Sequence, residues 1–189
     1  MNLDPAELLQ RCLAGDELAW EALVRTHQAR VYGIAYAYTG DADDARDLAQ
    51  EIFVRVFRKL DTCPDPGCFL PWLIRVARNA AVDHLRRRKA RPPARDIPAD
   101  EMLTLAASGP SPEEELNAES RRRLVYRALQ KLSEINREII LLKDIQGLAL
   151  EEISAMLNVP LGTVKSRTNR ARLELAKAVM SLQGGSAEG

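Results

Sequence analysis

The sequence contains 189 residues, 46% of them hydrophobic and 29% charged, and its 27 basic and 27 acidic residues give a net charge of zero. This length suits one large or two small domains, and no apolar run approaches the roughly 20 residues that a membrane-spanning helix needs. The first residues lack the basic and apolar parts of a secretion signal, and an odd number of cysteines argues against a disulfide framework. We therefore expect a cytoplasmic protein that does not insert into a membrane.

The hydrophobic periodicity is helical almost throughout, without a strand pattern or a repeat. Pro5 and Gly15 bound the first predicted helix. Asp16 begins a second helix that ends near Gly40, and Asp41 begins a third. In the third helix a three-four spacing predicts a buried face made of Ala45, Leu48, Ala49, Ile52, Phe53, Val56, Phe57 and Leu60. The chain is therefore predicted to be all-α.

A loop rich in proline and glycine follows the third helix. Residues 61–68, DTCPDPGC, are incompatible with a helix or a central strand. A fourth helix is predicted from about Pro71 to Ala90, with Trp72 on its inward face. The fourth helix leads into residues 84–95, which contain six Lys/Arg and no acid. This basic run indicates a surface that attracts anions.

Composition divides the chain into two domains. Residues 93–111 are acidic and rich in Pro and Ala without a clear period, which predicts a flexible linker. Residues 1–92 then form an N-terminal helical domain, and residues 112–182 form a C-terminal one that begins at a strong helix start. We expect residues 183–189 to be a disordered tail.

The segment 148–175 predicts a helix-turn-helix. Asn158 and Pro160 end its first helix, and the second helix is predicted to open near Thr163, which would cap it. The second helix carries four cations among neutral residues, an apolar stripe of Val164, Ala171 and Leu175, and small or polar residues able to approach bases, namely Ser166, Thr168 and Asn169. A row of arginines is often only a solvated face, but this combination favours a DNA recognition helix.

Three strings in this order resemble the extracytoplasmic-function, or group IV, sigma factors of bacterial RNA polymerase: residues 41–60, 72–91 and 150–172. The resemblance implies an alternative sigma factor that binds RNA polymerase core, directs it to specific promoters and assists promoter melting. It implies as partners the β′ clamp helices and β flap of core, promoter DNA and an anti-sigma factor. It implies no catalytic residue, no cofactor and no small-molecule substrate.

The resemblance also assigns roles to individual residues. The core-binding surface would contain Asp47, Gln50, Glu51 and Val54, which share one helix flank. The promoter element nearest the start site, minus-ten, would be contacted by Asp65, Phe69, Asn79, Asp83, Arg86, Arg87 and Arg88, with the loop 61–69 capturing a flipped base. At the distal element, minus-thirty-five, bases would be faced by Lys165, Ser166, Asn169 and Arg170, and phosphates by Thr163, Arg167 and Arg172.

These residues admit other interpretations. A conventional helix-turn-helix regulator would bind duplex DNA without core polymerase. A Mg²⁺-dependent enzyme could use the acids Asp43, Asp44, Asp47 and Glu51, but no Lys, His or glycine-rich loop accompanies them. Cys63 and Cys68 could bind metal or form a redox-sensitive bridge, although an ordinary small-residue role is favoured and no metal site is predicted.

Overall fold

The computed structural model describes residues 4–89 and 112–184, including the side chains of 4–88 and 120–183. These residues form eight helices, which confirms the all-α prediction, and the described ranges contain no β-strand. The helices are α1 (Pro5–Leu13), α2 (Glu17–Thr39), α3 (Ala42–Lys59), α4 (Phe69–Lys89), α5 (Pro112–Gln130), α6 (Glu134–Ile140), α7 (Leu150–Leu157) and α8 (Leu161–Gly184). None of the described helices is long and apolar enough to cross a membrane.

Tertiary contacts divide the protein into two compact units. Helices α1 to α4 build the first unit, and α5 to α8 build the second. The predicted linker, residues 93–111, lies outside the described residues, as do residues 185–189 of the predicted tail. Gln183 and Gly184, also assigned to that tail, belong to α8.

The helix boundaries of the first unit follow from local chemistry. Asp16 begins α2, because its Oδ1 accepts hydrogen bonds from the backbone amides of Leu18 and Ala19 at 3.0 and 3.1 Å. Gly15 and Gly40 have φ of 83° and 72°, a conformation that favours glycine, and they end α1 and α2 as predicted. α4 begins at Phe69, two residues before the predicted start.

Most of the predicted face of α3 is buried, but one end of it is not. Ala45, Leu48, Ile52 and Val56 are fully buried, Leu60 in the turn after α3 is 5% exposed, and Ala49 and Phe53 are half-buried. Phe57 was predicted to be buried and is 58% exposed, with its ring edge against Trp20 at 5.1 Å between centroids. The reason is angular, since Phe57 lies about 140° around the helix from Ile52.

The loop between α3 and α4 has more structure than predicted. It contains two short 3₁₀ turns, Leu60–Thr62 and Pro66–Cys68. The second turn is packed against α1 and against the start of α4, while α1 also packs on α2, and α2 on α4. The loop is therefore held from both sides by the helices of the first unit.

The second unit is assembled around α8, which packs against α5, α6 and α7. A π turn, Leu141–Ile145, continues α6. Asn158 has left-handed φ and ψ of 53° and 48° and ends α7, as predicted. α8 begins at Leu161, so Thr163 lies inside its first turn and does not cap it, which corrects the predicted start. The core residues of this unit are Ala128, Leu129, Ile139, Ile140, Leu141, Leu142, Ile153, Val164 and Ala171.

One arginine stabilises the connection between α5 and α6. The guanidinium of Arg137 donates hydrogen bonds to the carbonyl oxygens of Leu129, Gln130 and Leu132 at 2.9, 3.0 and 3.2 Å. Carbonyls at a helix C-terminus have no partner within the helix. Arg137 supplies partners for them and adds a positive charge where the helix dipole favours one.

We expect Arg137→Met to lower the free energy of unfolding by about 1.5–3 kcal/mol, the usual range for hydrogen bonds to a charged group. Urea unfolding followed by far-UV circular dichroism measures the effect. Arg121→Met, at an exposed position on α5, is the matched control and should leave the midpoint unchanged. Equal midpoints for the two variants would contradict this role of Arg137.

Candidate polymerase-binding and nucleic-acid interfaces

The side of α3 opposite its buried stripe forms an exposed strip of mixed character, which we call the outer face of α3. It consists of Asp47, Gln50, Val54 and Phe57, spaced so that all four lie on one side of the helix. Val54 is 49% exposed, and the side chains of Asp47 and Gln50 make no hydrogen bond with the described part of the chain. The residues that the sequence assigns to the core-binding surface do not include Phe57, because the spacing of Phe57 also fits the buried stripe of α3. A helical projection centred on Ile52 would have found it.

Glu51, predicted to bind polymerase, lies at the edge of this face and is held by two arginines. Its Oε1 accepts hydrogen bonds from Arg55 Nε and Nη2 at 3.1 and 2.6 Å. Arg87 Nη2, from α4, lies 3.0 Å from both carboxylate oxygens. Burial alone would raise the pKa of Glu51, but the hydrogen bonds and charges of Arg87 and Arg55 outweigh it and hold that pKa below its ordinary value.

Arg55 also contacts one of the residues predicted to contact the minus-ten element. Its Nη1 donates to Asp83 Oδ2 of α4 at 3.0 Å. Arg88, one residue beyond Arg87, donates to Asp44 Oδ2 at 2.7 Å. The structure thus pairs two of the arginines predicted to contact the minus-ten element, Arg87 and Arg88, with carboxylates of α3. Arg86 is exposed, and so is Asn79, whose Oδ1 accepts a hydrogen bond from Arg78 at 3.3 Å.

The loop before α4 is shaped by Asp65. Its Oδ1 accepts a hydrogen bond from Gly67 N at 2.6 Å, and the residue is exposed, as a loop that contacts DNA requires. Phe69 is different, since it is only 7% exposed and its ring lies 5.3 Å from the ring of His27 and 5.9 Å from that of Trp72. The assignment of Phe69 as a DNA contact is therefore corrected: it anchors the loop to the core. Trp72, predicted to face inward, is half-buried.

The exposed side of α8 carries most of the predicted distal-element residues. Lys165, Ser166, Asn169, Arg170 and Arg172 are exposed, and Thr163 and Arg167 are half-buried. Thr168 is only 4% exposed, and its hydroxyl donates to the carbonyl of Val164 at 2.8 Å. The expectation that Thr168 can approach bases is therefore wrong.

Two of the four cations predicted to contact the distal element, Arg170 and Arg172, are paired within the second unit. Arg172 donates from Nε and Nη2 to the two oxygens of Asp144, at 3.0 and 2.5 Å, and this hydrogen bonding and charge raise the pKa of Arg172. Arg170 Nε lies 3.3 Å from Glu174 Oε1, while Glu174 Oε2 accepts from the buried amide of Asn136 at 2.6 Å. Lys165 makes no ion pair with any residue that the structure describes.

The acids considered for a Mg²⁺ site do not converge. Asp43 pairs with Arg46, Asp44 with Arg88, and Glu51 with Arg55 and Arg87. Among the described residues no group of three His, Cys, Asp or Glu could hold a metal ion. Cys63 and Cys68 are both free thiols, and burial raises the pKa of Cys63, which opposes thiolate chemistry.

Both units of the chain are similar to known protein families. The family model for sigma-70 region 2 matches residues 23–91, and that for sigma-70 region 4 matches residues 122–175. The RNA polymerase sigma-H factor of Pseudomonas aeruginosa is 33% identical over 181 residues, covering 93% of this chain and 94% of the relative. The ECF RNA polymerase sigma-E factor of Escherichia coli is 34% identical over 180 residues, with the same coverage of both chains.

The chain belongs to the extracytoplasmic-function sigma factors. It is therefore an alternative sigma factor, which binds RNA polymerase core and promoter DNA in transcription initiation. The solved structure of CnrH in complex with the cytosolic domain of CnrY is similar, with a TM-score of 0.65 and 26% identity, covering 94% of this chain and 99% of that chain. The region 2 match includes α3, the loop and all of α4, and the region 4 match includes the predicted distal-element residues of α8.

The corrected role of Phe69 in this sigma factor is tested by stability. We expect Phe69→Ala to lower the free energy of unfolding by about 3 kcal/mol, because truncating a buried phenylalanine leaves a cavity. Phe57→Ala, at the exposed ring, is the control and should cost less than about 1 kcal/mol. Both tryptophans of the chain lie in the first unit, so their fluorescence during denaturant unfolding reports on it. Equal losses for the two variants would contradict the burial of Phe69.

Proposed function

We propose that this sigma factor binds core polymerase through the outer face of α3 and Glu51, reads the distal promoter element through α8, and assists melting through α4 and the preceding loop. The observation that carries the proposal is that α3 and α8 each have a buried stripe on one side and, on the other side, exposed side chains that are available to a partner. The proposed domains are residues 1–92 and 112–182, joined by a linker at 93–111.

The composition of the outer face of α3 supports binding to a protein. Val54 and Phe57 offer apolar area, while Asp47 and Gln50 beside them supply a charge and an amide. Protein interfaces combine apolar anchors with a polar rim that sets orientation. The β′ clamp helices are the proposed partner, and the β flap is proposed to receive the C-terminal domain.

The exposed side of α8 supports sequence-specific contact with duplex DNA. Lys165, Ser166, Asn169 and Arg170 are held on a helix whose other side is buried, which is the arrangement of a recognition helix in the major groove. Asn and the cationic side chains match the base edges that a major-groove reader contacts. Thr163, Arg167 and Arg172 are proposed to bind phosphates.

On α4 and the loop before it, the proposed minus-ten contacts are Asp65, Asn79, Asp83 and the arginines 86–88. The exposure of Asp65, Asn79 and Arg86 supports contact with a displaced strand. A basic helix beside a shaped loop provides cations for the backbone and a place for an extruded base.

Partners and location complete the proposal. The protein acts in the cytoplasm, uses no cofactor and performs no chemistry itself, since nucleotide transfer belongs to core polymerase. Because the similar CnrH was solved with the cytosolic domain of CnrY, we also propose that a polypeptide anti-sigma factor covers the outer face of α3 in the inactive state.

Transcription by core polymerase freed of its own sigma subunit tests the whole proposal. With this protein and a library of random upstream sequences, we expect transcripts whose templates share two spaced elements. A conventional helix-turn-helix regulator would instead bind duplex DNA equally well without core and would yield no transcripts. That result would overturn the proposal.

We expect Asp47→Lys to weaken core binding by more than about tenfold, because it places a like charge against a cationic partner. Asp47 makes no intramolecular ion pair with the described residues, so its replacement tests binding without disturbing the fold. Glu7→Lys on α1 makes the same change at another exposed position and is the matched control. Fluorescence anisotropy of labelled protein titrated with core measures both. Unchanged affinity for Asp47→Lys would argue against this face.

We expect Lys165→Ala to cost about 1–3 kcal/mol of discrimination at one position of the distal element, the usual value of a direct base contact. Lys177→Ala is the control, because Lys177 is exposed on the same helix about 18 Å farther along. Transcription from promoters carrying all four bases at each distal position measures the preference. If both variants lose the same affinity for every promoter sequence, Lys165 contributes only a general attraction for DNA and no base preference.

A further inference from the structure

Arg55 occupies a position that the sequence analysis assigned to no function. It lies on α3, and its side chain is 28% exposed, enclosed between α3 and α4. Three of its nitrogens are used at once: Nε and Nη2 donate to Glu51, and Nη1 donates to Asp83. The guanidinium therefore joins one residue proposed to bind polymerase to one proposed to contact the minus-ten element.

We propose that Arg55 is a positioning residue for both of these contacts, fixing the carboxylates of Glu51 and Asp83 in the directions that core and DNA require. The inference rests on the proposed function, because it takes the two carboxylates as contact residues. It goes beyond that function by assigning a role to a side chain that would touch neither partner.

The geometry on Glu51 explains how the carboxylate can be held and still bind. Arg55 approaches only Oε1, while Arg87 is 3.0 Å from both oxygens. Arg87 is 58% exposed at its side chain, and a cation of core can replace it at Oε2 without disturbing the bonds from Arg55. Arg55 thus keeps the carboxylate in place while its second ligand changes.

The chemistry of arginine suits this role. Its planar fork presents several N–H donors in fixed directions, so it can bind two carboxylates at set angles, whereas lysine offers one compact ammonium on a flexible stem. Burial alone would lower the pKa of Arg55, but the hydrogen bonds to Asp83 and Glu51 outweigh it and raise that pKa, so the guanidinium stays charged.

A double-mutant cycle on the full chain tests the inference, since it measures whether one residue acts through another. We expect Arg55→Met to weaken core binding about tenfold, the size expected within one network, but to have little further effect when Glu51→Gln is already present. Promoter opening, measured by permanganate reactivity of unpaired thymines with saturating core, should show the same dependence on Asp83→Asn. Arg25→Met, which removes an exposed ion pair with Glu21 on α2, is the control.

Several outcomes separate the possibilities. If Arg55→Met lowers core affinity equally with and without Glu51→Gln, Arg55 acts only on stability and the inference fails. If Glu51→Gln alone leaves affinity unchanged, the inference also fails, while the effect of Asp47→Lys still decides the proposed function independently. Arg55→Lys keeps the positive charge but loses the planar arrangement of N–H donors. Full affinity for core in this variant would therefore also contradict the inference that Arg55 positions the carboxylates by its geometry.

Discussion

The buried stripe of α3 fixes the direction in which every other side chain of that helix points. Leu48, Ile52 and Val56 are each at most 1% exposed. Fully burying such a side chain contributes about 1.5–3 kcal/mol, so turning the helix by one residue would expose several of them and cost a large part of the about 5–15 kcal/mol by which a domain is stable. The outer face of α3 is therefore held toward solvent by the core beneath it. The proposed polymerase-binding surface thus depends on residues that are buried beneath it.

The ion pairs on α3 and α4 have a different effect from that of the buried core. The pairs that join Glu51, Asp83 and Asp44 to arginines are all partly exposed, and such pairs contribute only about 0–1 kcal/mol each. They are too weak to choose the packing of the two helices. They are strong enough to choose among the rotamers of long side chains, and so they decide where the carboxylates and guanidinium groups of the candidate site point.

Local chemistry made the fold largely predictable, and tertiary packing accounts for the errors. Asp16, Gly15, Gly40 and Asn158 set helix ends through caps and backbone conformations that the sequence displays directly. Periodicity placed Phe57 in the core wrongly, and the resemblance that assigned Phe69 to DNA did not show its burial, because neither can tell which side chains a neighbouring helix covers. The pairing of Glu51 with Arg87, 36 residues apart, likewise depends on the register of α3 against α4. The sequence motifs thus allowed candidate site residues to be chosen, but not the side chains with which those residues pair inside the protein.

Helix α8 shows how one helix can be both core and candidate reader. Val164, Thr168 and Ala171 recur at helical spacing and are small enough to let the helix lie close to its neighbours, and Thr168 satisfies its hydroxyl on the helix's own backbone. On the other side, Asp144 and Glu174 hold Arg172 and Arg170 in defined directions. Side chains ordered before binding lose less entropy when they bind, and partly neutralised cations add less to general attraction for phosphates. At Arg170, which is proposed to face bases, this arrangement would favour discrimination between sequences over affinity for DNA of any sequence.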